Sequence, residues 1–317
     1  MTAEPGGILI IGRNGQLSRS LYEILTAHGS RVAQIGRPDV DLGNPESVKA
    51  AIRTAGPRVV VNAAAYTAVD RAEDEPEAAF AVNATGAEAV SAAAAAAGAA
   101  IIHVSTDYVF DGHKRSPYVE TDATAPTGVY GESKLAGETR VATANPRHVI
   151  LRTAWVFSPF GGNFVKTMLR LNNERPELNV VDDQHGNPTY APDLAGVIRT
   201  LIERLDSAPD DPGLFGTFHA VNANDTTWFN FAAAIVDGAA QRGAPRAVVR
   251  PIGTKDYPTK ARRPAYSVLS TDKLARVYGI TLRPWSEALS DCLDRLVGPA
   301  SQEQTPDAPR RAIDTSV

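Results

Sequence analysis

Short runs of aliphatic and β-branched residues at 8–11, 31–35, 59–62 and 101–105 recur along the first third of the chain, separated by stretches of helical composition. Each run is apolar at consecutive rather than alternate positions, the pattern of parallel strands covered by helices on both faces. Stretches 17–27, 44–55, 75–97 and 131–143 read as those helices, with Gly29, Gly56 and Gly98 as stops that accept the left-handed backbone of a helix C-terminus. Another strand is expected at 148–152. Beyond it Pro and Gly become frequent and the βα alternation weakens, so a second lobe is expected to begin there. Segment 193–205 is amphipathic, and 218–221 reads as a strand returning to the sheet.

Composition narrows the function classes. A net charge of −4 with no polybasic block points to neither nucleic acid nor an anionic membrane surface. Cys292 is the only cysteine, which excludes an intrachain disulfide and a cysteine-held metal or cluster and fits a reducing compartment. No basic segment precedes the short apolar run at 8–11, so neither a signal peptide nor a membrane span is expected and the chain is placed in the cytoplasm. A small-molecule substrate remains.

The first strand runs into Gly12-Arg13-Asn14-Gly15-Gln16-Leu17-Ser18, which opens the first helix. Glycines at such a turn let the backbone approach a pyrophosphate, whose charge sits against free N–H groups at the helix N-terminus. Gly12, Asn14, Gly15, Gln16 and Leu17 are therefore cofactor candidates. The second strand ends Gln34-Ile35-Gly36-Arg37, with no carboxylate for the ribose of NAD; Arg37 suits a 2′-phosphate, which favours NADPH, with NADH as the alternative. Asp41 and Leu42 can meet the adenine. Ala64, Ala65 and Tyr66, after the third strand, sit where the nicotinamide ribose needs close backbone approach.

Tyr130 and Lys134 are one turn apart on a helix, following Ser105-Thr106-Asp107 at the end of a strand, where open α/β sheets bind ligands. A phenol titrates at about 10, and a cation one turn away stabilises its anion. Tyr130 is thus the candidate proton donor to a substrate oxygen, Lys134 its electrostatic partner and a ribose ligand, and Thr106 a hydrogen-bond donor to the same oxygen. No histidine or carboxylate cluster offers a metal site, and no metal is expected. The fold expected is α/β: a Rossmann-type doubly wound parallel sheet (7–154 plus about 190–222) with a smaller α/β substrate-binding lobe (155–189 plus 223–299) and a disordered tail at 300–317.

Three stretches, Val61-Asn62-Ala63-Ala64-Ala65-Tyr66-Thr67-Ala68-Val69-Asp70, Ser105-Thr106-Asp107-Tyr108-Val109-Phe110-Asp111-Gly112 and Tyr130-Gly131-Glu132-Ser133-Lys134, resemble the extended short-chain dehydrogenase/reductase superfamily, and within it the branch acting on dTDP-linked deoxysugars. Further likeness lies in Arg152-Thr153-Ala154-Trp155-Val156, Asp183-Gln184-His185-Gly186-Asn187-Pro188-Thr189 and Arg262-Arg263-Pro264. The resemblance implies reduction of the 4-keto group of dTDP-4-dehydro-L-rhamnose by NAD(P)H, with Thr106, Tyr130 and Lys134 carrying the chemistry and Asp107 and Trp155 touching the sugar. Asn163 and Arg263 are further candidates for the nucleotide sugar. Ser18 stands where the family's glycine motif usually ends in glycine. Ser20 and Pro192 stand where some members carry magnesium-binding carboxylates, so a metal-linked dimer is not expected, and the chain is expected as a monomer or weak homodimer. The alternatives are a reductase or epimerase of another nucleotide sugar and a non-catalytic NADP-binding regulatory subunit.

Overall fold

The computed structural model describes residues 6–300, so the tail expected at 300–317 lies, apart from its first residue, outside them. Strands β1 (Ile8–Ile11), β2 (Val32–Ile35), β3 (Val59–Asn62), β4 (Ala100–Thr106) and β5 (His148–Thr153) alternate with helices. These are α1 (Gln16–Ala27), α2 (Pro45–Ala55), the run α3 (Val69–Ala72), α4 (Pro76–Phe80) and α5 (Ala87–Ala96), and α6 (Val129–Ala144). Next come β6 (Val156–Phe157), α7 (Phe164–Glu174), β7 (Glu177–Val181), β8 (His185–Gly186), β9 (Thr189–Tyr190) and α8 (Ala191–Ser207). The described chain closes with β10 (Gly216–His219), β11 (Thr226–Thr227), α9 (Trp228–Ala240), β12 (Val248–Ile252), α10 (Asp272–Tyr278) and α11 (Trp285–Leu296).

Six strands pair in parallel in the order β10-β5-β4-β3-β1-β2. Consecutive apolar residues serve opposite faces, as a covered parallel sheet requires. Ile8, Ile10, Val59 and Val61 pack with Leu21 and Leu25 of α1 and Ile198 and Leu201 of α8. Leu9, Ile11 and Val60 pack with Val48 and Ile52 of α2 and Val90 of α5. At about 1.5–3 kcal/mol for each fully buried aliphatic side chain, these layers are the main source of stability. β2 departs from the expected double burial: all four of its residues are half-buried, because it is the sheet edge and pairs with β1 alone.

The helix expected at 75–97 is interrupted. A π-helical turn, Ala81–Gly86, joins α4 to α5. It aims Asn83 at the Tyr66 backbone, accepting from the N–H at 2.8 Å and donating to the carbonyl at 3.1 Å, and at Ser133 of α6. Such turns cluster at functional sites because they re-aim one side chain without ending a helix.

A second core, with Phe157, Met168, Leu178, Phe231, Ile235 and Leu293, is enclosed by α7, α9, α11 and the parallel pair β7–β12. Leu274 and Tyr278 of α10, with Leu282, pack into the first core instead. In the main sheet, β1 leads to β2 on one side, and the chain then crosses back to place β3 on the other. The crevice beyond the strand ends at such a reversal is where open α/β sheets hold ligands. No helix among the described residues is long and apolar enough to cross a membrane.

Candidate active site

A cleft of about 750 Å³ opens at that reversal and runs from the end of β2 to the end of β5, reaching α9. Gly12, Asn14, Gly15, Gln16, Leu17, Arg37, Asp41, Leu42, Ala64, Ala65, Thr106, Asp107, Tyr130, Lys134 and Trp155 all line it. At its near end Gly12 takes φ +122, a conformation that only glycine adopts freely. A Cβ there would stand 2.4 Å from the Ser18 hydroxyl. The serine that replaces the family's third glycine thus uses the space left by the first, and the turn keeps its course. Gly15 caps α1 and offers no side-chain acceptor, so N–H groups of the first turn remain directed at the cleft.

The far end is assembled around α6. Glu73 caps that helix, its carboxylate accepting from the Val129 N–H at 3.0 Å, where the helix dipole favours a negative charge. A Cβ on Gly131 would lie 2.2 Å from the Tyr108 carbonyl oxygen, so only glycine lets α6 come this close to the Asp107–Val109 turn. That approach puts the Tyr130 ring edge-on to Tyr108, with centroids 5.5 Å apart. Thr106 donates to Asp107 at 3.0 Å. Burial raises the Tyr130 phenol above its usual range, and its hydrogen bond with Thr106 pulls the other way. Burial also moves two neighbours: it lowers Lys134 to about 8, against the pull of Glu138, and raises Asp107 to about 6, against hydrogen bonds from Ser267 and Thr106.

Three expected site residues fall elsewhere. Tyr66 donates its hydroxyl to Glu75 at 2.8 Å and turns away from the cleft. The Asn163 side chain caps α7 through Lys166 N–H and donates to Gln16 at 2.9 Å and to Ser158 at 2.7 Å. Its polar atoms are taken up in holding the 158–163 loop against α1. Arg263 is ion-paired with Asp70 at 2.6 Å and lies over the Tyr108 ring, behind the cleft wall.

Sequence reasoning missed Arg13, Ser105, Thr153 and Trp228, all of which line the cleft. Arg13 pairs with Asp39 at 2.8 Å beside Arg37, so two cations flank the end of β2. Its place inside the glycine motif was the available signal. The hydroxyls of Ser18, Ser105 and Thr153 are buried without a hydrogen-bond partner among the described residues. Buried hydroxyls are costly to leave unpaired, and together with the glycine cradle they suit a polar, extended cofactor such as a dinucleotide. Trp228 stacks on Trp155 at 3.6 Å and 9°, and Trp155 has φ 45, unusual for a side chain of that bulk. Gly186 accommodates the indole: a Cβ there would meet its ring at 2.5 Å. Gly186→Ala is therefore expected to displace Trp155 from the cleft wall, which tryptophan fluorescence would show; an unchanged emission spectrum would mean that the ring does not need that space.

The sequence profile of a family described as RmlD substrate binding domain matches residues 6–297. A dTDP-4-dehydrorhamnose reductase of Sinorhizobium fredii is 46% identical over 288 residues, covering 89% of this chain and 94% of its own. The chain belongs to the dTDP-4-dehydrorhamnose reductase family. The Escherichia coli K12 dTDP-4-dehydrorhamnose reductase is 43% identical over 91% of this chain and 97% of its own. Among solved structures, the Clostridium acetobutylicum dTDP-4-dehydrorhamnose reductase superposes with a TM-score of 0.85 at 38% identity, covering 91% of this chain and 99% of that one. The Bacillus anthracis dTDP-4-dehydrorhamnose reductase, solved in complex with NADP, gives 0.84 at 35% identity, covering 92% and 99%. This chain is accordingly an oxidoreductase with the doubly wound fold of that family.

Proposed function

We propose that this chain reduces the 4-keto group of dTDP-4-dehydro-L-rhamnose with NADPH, giving dTDP-L-rhamnose. The observation that carries the reading is the meeting of Thr106, Tyr130 and Lys134 in one cleft continuous with the glycine cradle. The bound nicotinamide supplies the hydride. Tyr130, kept protonated by burial, gives its hydroxyl proton to the keto oxygen, and Thr106 hydrogen-bonds that oxygen. Lys134 as an ammonium stabilises the phenolate left behind. Asp107 and Trp155 orient the sugar, the indole as an apolar wall. Arg263 reaches the substrate diphosphate only by leaving Asp70. The 155–189 plus 223–299 lobe, apart from α10 and Leu282, which pack into the first core, covers the sugar, and 7–154 plus 190–222 holds the cofactor. The protein works in the cytoplasm as a monomer or weak homodimer, which sedimentation at micromolar concentration would show; a tight oligomer would contradict it.

The reading is tested by following NADPH oxidation with dTDP-4-dehydro-L-rhamnose generated by the preceding enzymes and identifying the product by chromatography. dTDP-L-rhamnose is expected; NADPH binding without oxidation would transfer the weight to another nucleotide sugar or a regulatory subunit. Because Lys134 sits at about 8, kcat should fall from about pH 8 upward as the ammonium is lost, and a profile flat to pH 10 would contradict its role. Arg37→Ala should weaken NADPH about 10- to 100-fold, since a hydrogen bond to a charged group contributes about 1.5–3 kcal/mol, and leave NADH affinity nearly unchanged. Equal losses for the two cofactors, read by fluorescence titration, would mean that Arg37 does not read the 2′-phosphate.

A further inference from the structure

Under the cleft floor a line of buried polar side chains ends on Lys134. Asn62 closes β3 and His103 lies beside it on β4, where the register pairs the two. Asn62, His103 and Lys134 are all almost wholly buried. The Asn62 side-chain oxygen accepts from the Ala64 N–H at 3.3 Å, which turns its amide nitrogen toward His103 Nδ1, 3.1 Å away. An amide nitrogen donates and does not accept, so His103 Nδ1 is the acceptor and the proton of the neutral ring is on Nε2. Burial, with the Lys134 charge adding to it, keeps the ring neutral. His103 Nε2 stands 3.4 Å from Lys134 Nζ, which itself donates to the Val104 carbonyl at 2.7 Å. An imidazole N–H facing an ammonium opposes two donors; facing an amine, it finds a lone pair.

We propose that His103, oriented by Asn62, acts on Lys134 by loosening its hold on a proton, while the Val104 carbonyl holds its nitrogen at the cleft floor. The inference rests on the reading of Lys134 as the cation beside Tyr130. The other ionisable groups nearby do not do this work. Glu138, one turn further along α6, favours the ammonium, and its carboxylate is tied to Arg152 of β5. Asp107 and Tyr108, from the turn after β4, act on Tyr130.

Histidine-specific ¹⁵N NMR of the full chain reads the tautomer directly. Protonated Nε2 and bare Nδ1 at His103 are expected, and the opposite tautomer would overturn the proposal. The readout needs no turnover, so failure of the proposed reaction and failure of this inference are distinguishable. In the pH profile of kcat, His103→Leu should move the alkaline limb upward by about one unit, a tenfold tighter hold on the Lys134 proton. Asn62→Asp places a carboxylate oxygen against Nδ1, which turns the ring proton to that side and makes Nε2 an acceptor for Lys134; the limb should again move upward. A limb fixed in whichever variant folds would show that His103 only fills space.

Discussion

Tyr130→Phe is expected to lower kcat by about 10²–10⁴-fold, the contribution of a positioned general acid, with NADPH affinity and melting temperature close to those of the parent. The ring is half-buried and packs edge-on against Tyr108, and phenylalanine keeps that contact. What is lost is the hydroxyl that reaches Thr106 and the cleft. The geometry offers no substitute: the Tyr108 hydroxyl faces Arg263, whose guanidinium lies over the Tyr108 ring. Steady-state kinetics beside cofactor titration and calorimetry checks this, and near-parental turnover would remove Tyr130 from the chemistry.

The largest loss of stability is expected from Glu138→Ala. Glu138 holds Arg152 through two bonds, at 2.9 and 2.7 Å, where the two side chains are only 5% and 6% exposed. The guanidinium lies over the Phe110 ring, and its NH1 has no hydrogen-bond partner among the described residues. Removing the carboxylate leaves a buried, uncompensated charge, which costs about 3–5 kcal/mol. For a chain of this size that corresponds to a melting-point drop on the order of 10 °C. Replacing both residues by methionine should recover most of it, since an apolar pair needs no counter-charge. Calorimetry distinguishes the cases: a single-variant loss below about 1 kcal/mol would mean that water or a shifted side chain already serves Arg152.

The sheet was legible because its signal is local. The runs at 8–11 and 59–62 are apolar at every position, and only double coverage explains that. The edge position of β2 was not legible, because pairing partners are set by topology rather than by the four residues of the strand. The break in the helix at 81–86 was hidden for a related reason: Ala81, Ala84 and Ala87 are good helix formers, and what turns Asn83 is its bonding to a loop and a helix distant in sequence.

At the site, the structure brings Tyr130, Lys134 and Thr106 into one cleft, as their spacing and strand-end position led us to expect, because a sequence displays both. Asn163 and Tyr66 do not line the cleft, because their partners, Gln16 and Glu75, are chosen by tertiary packing. Arg13 and Thr153 lay within motifs already singled out and were passed over, since nothing in the letters tells which side chain of a motif faces a cleft. His103 carried no pattern at all: its significance is the line from Asn62 to Lys134, which exists only once β3 and β4 are paired.

The most direct test of the proposed reaction uses NADPH deuterated at the transferable position, with dTDP-4-dehydro-L-rhamnose generated in place. The account predicts dTDP-L-rhamnose carrying one deuterium at C4 of the sugar. Unlabelled sugar, deuterium at another carbon, or deuterated cofactor bound and never consumed would contradict it.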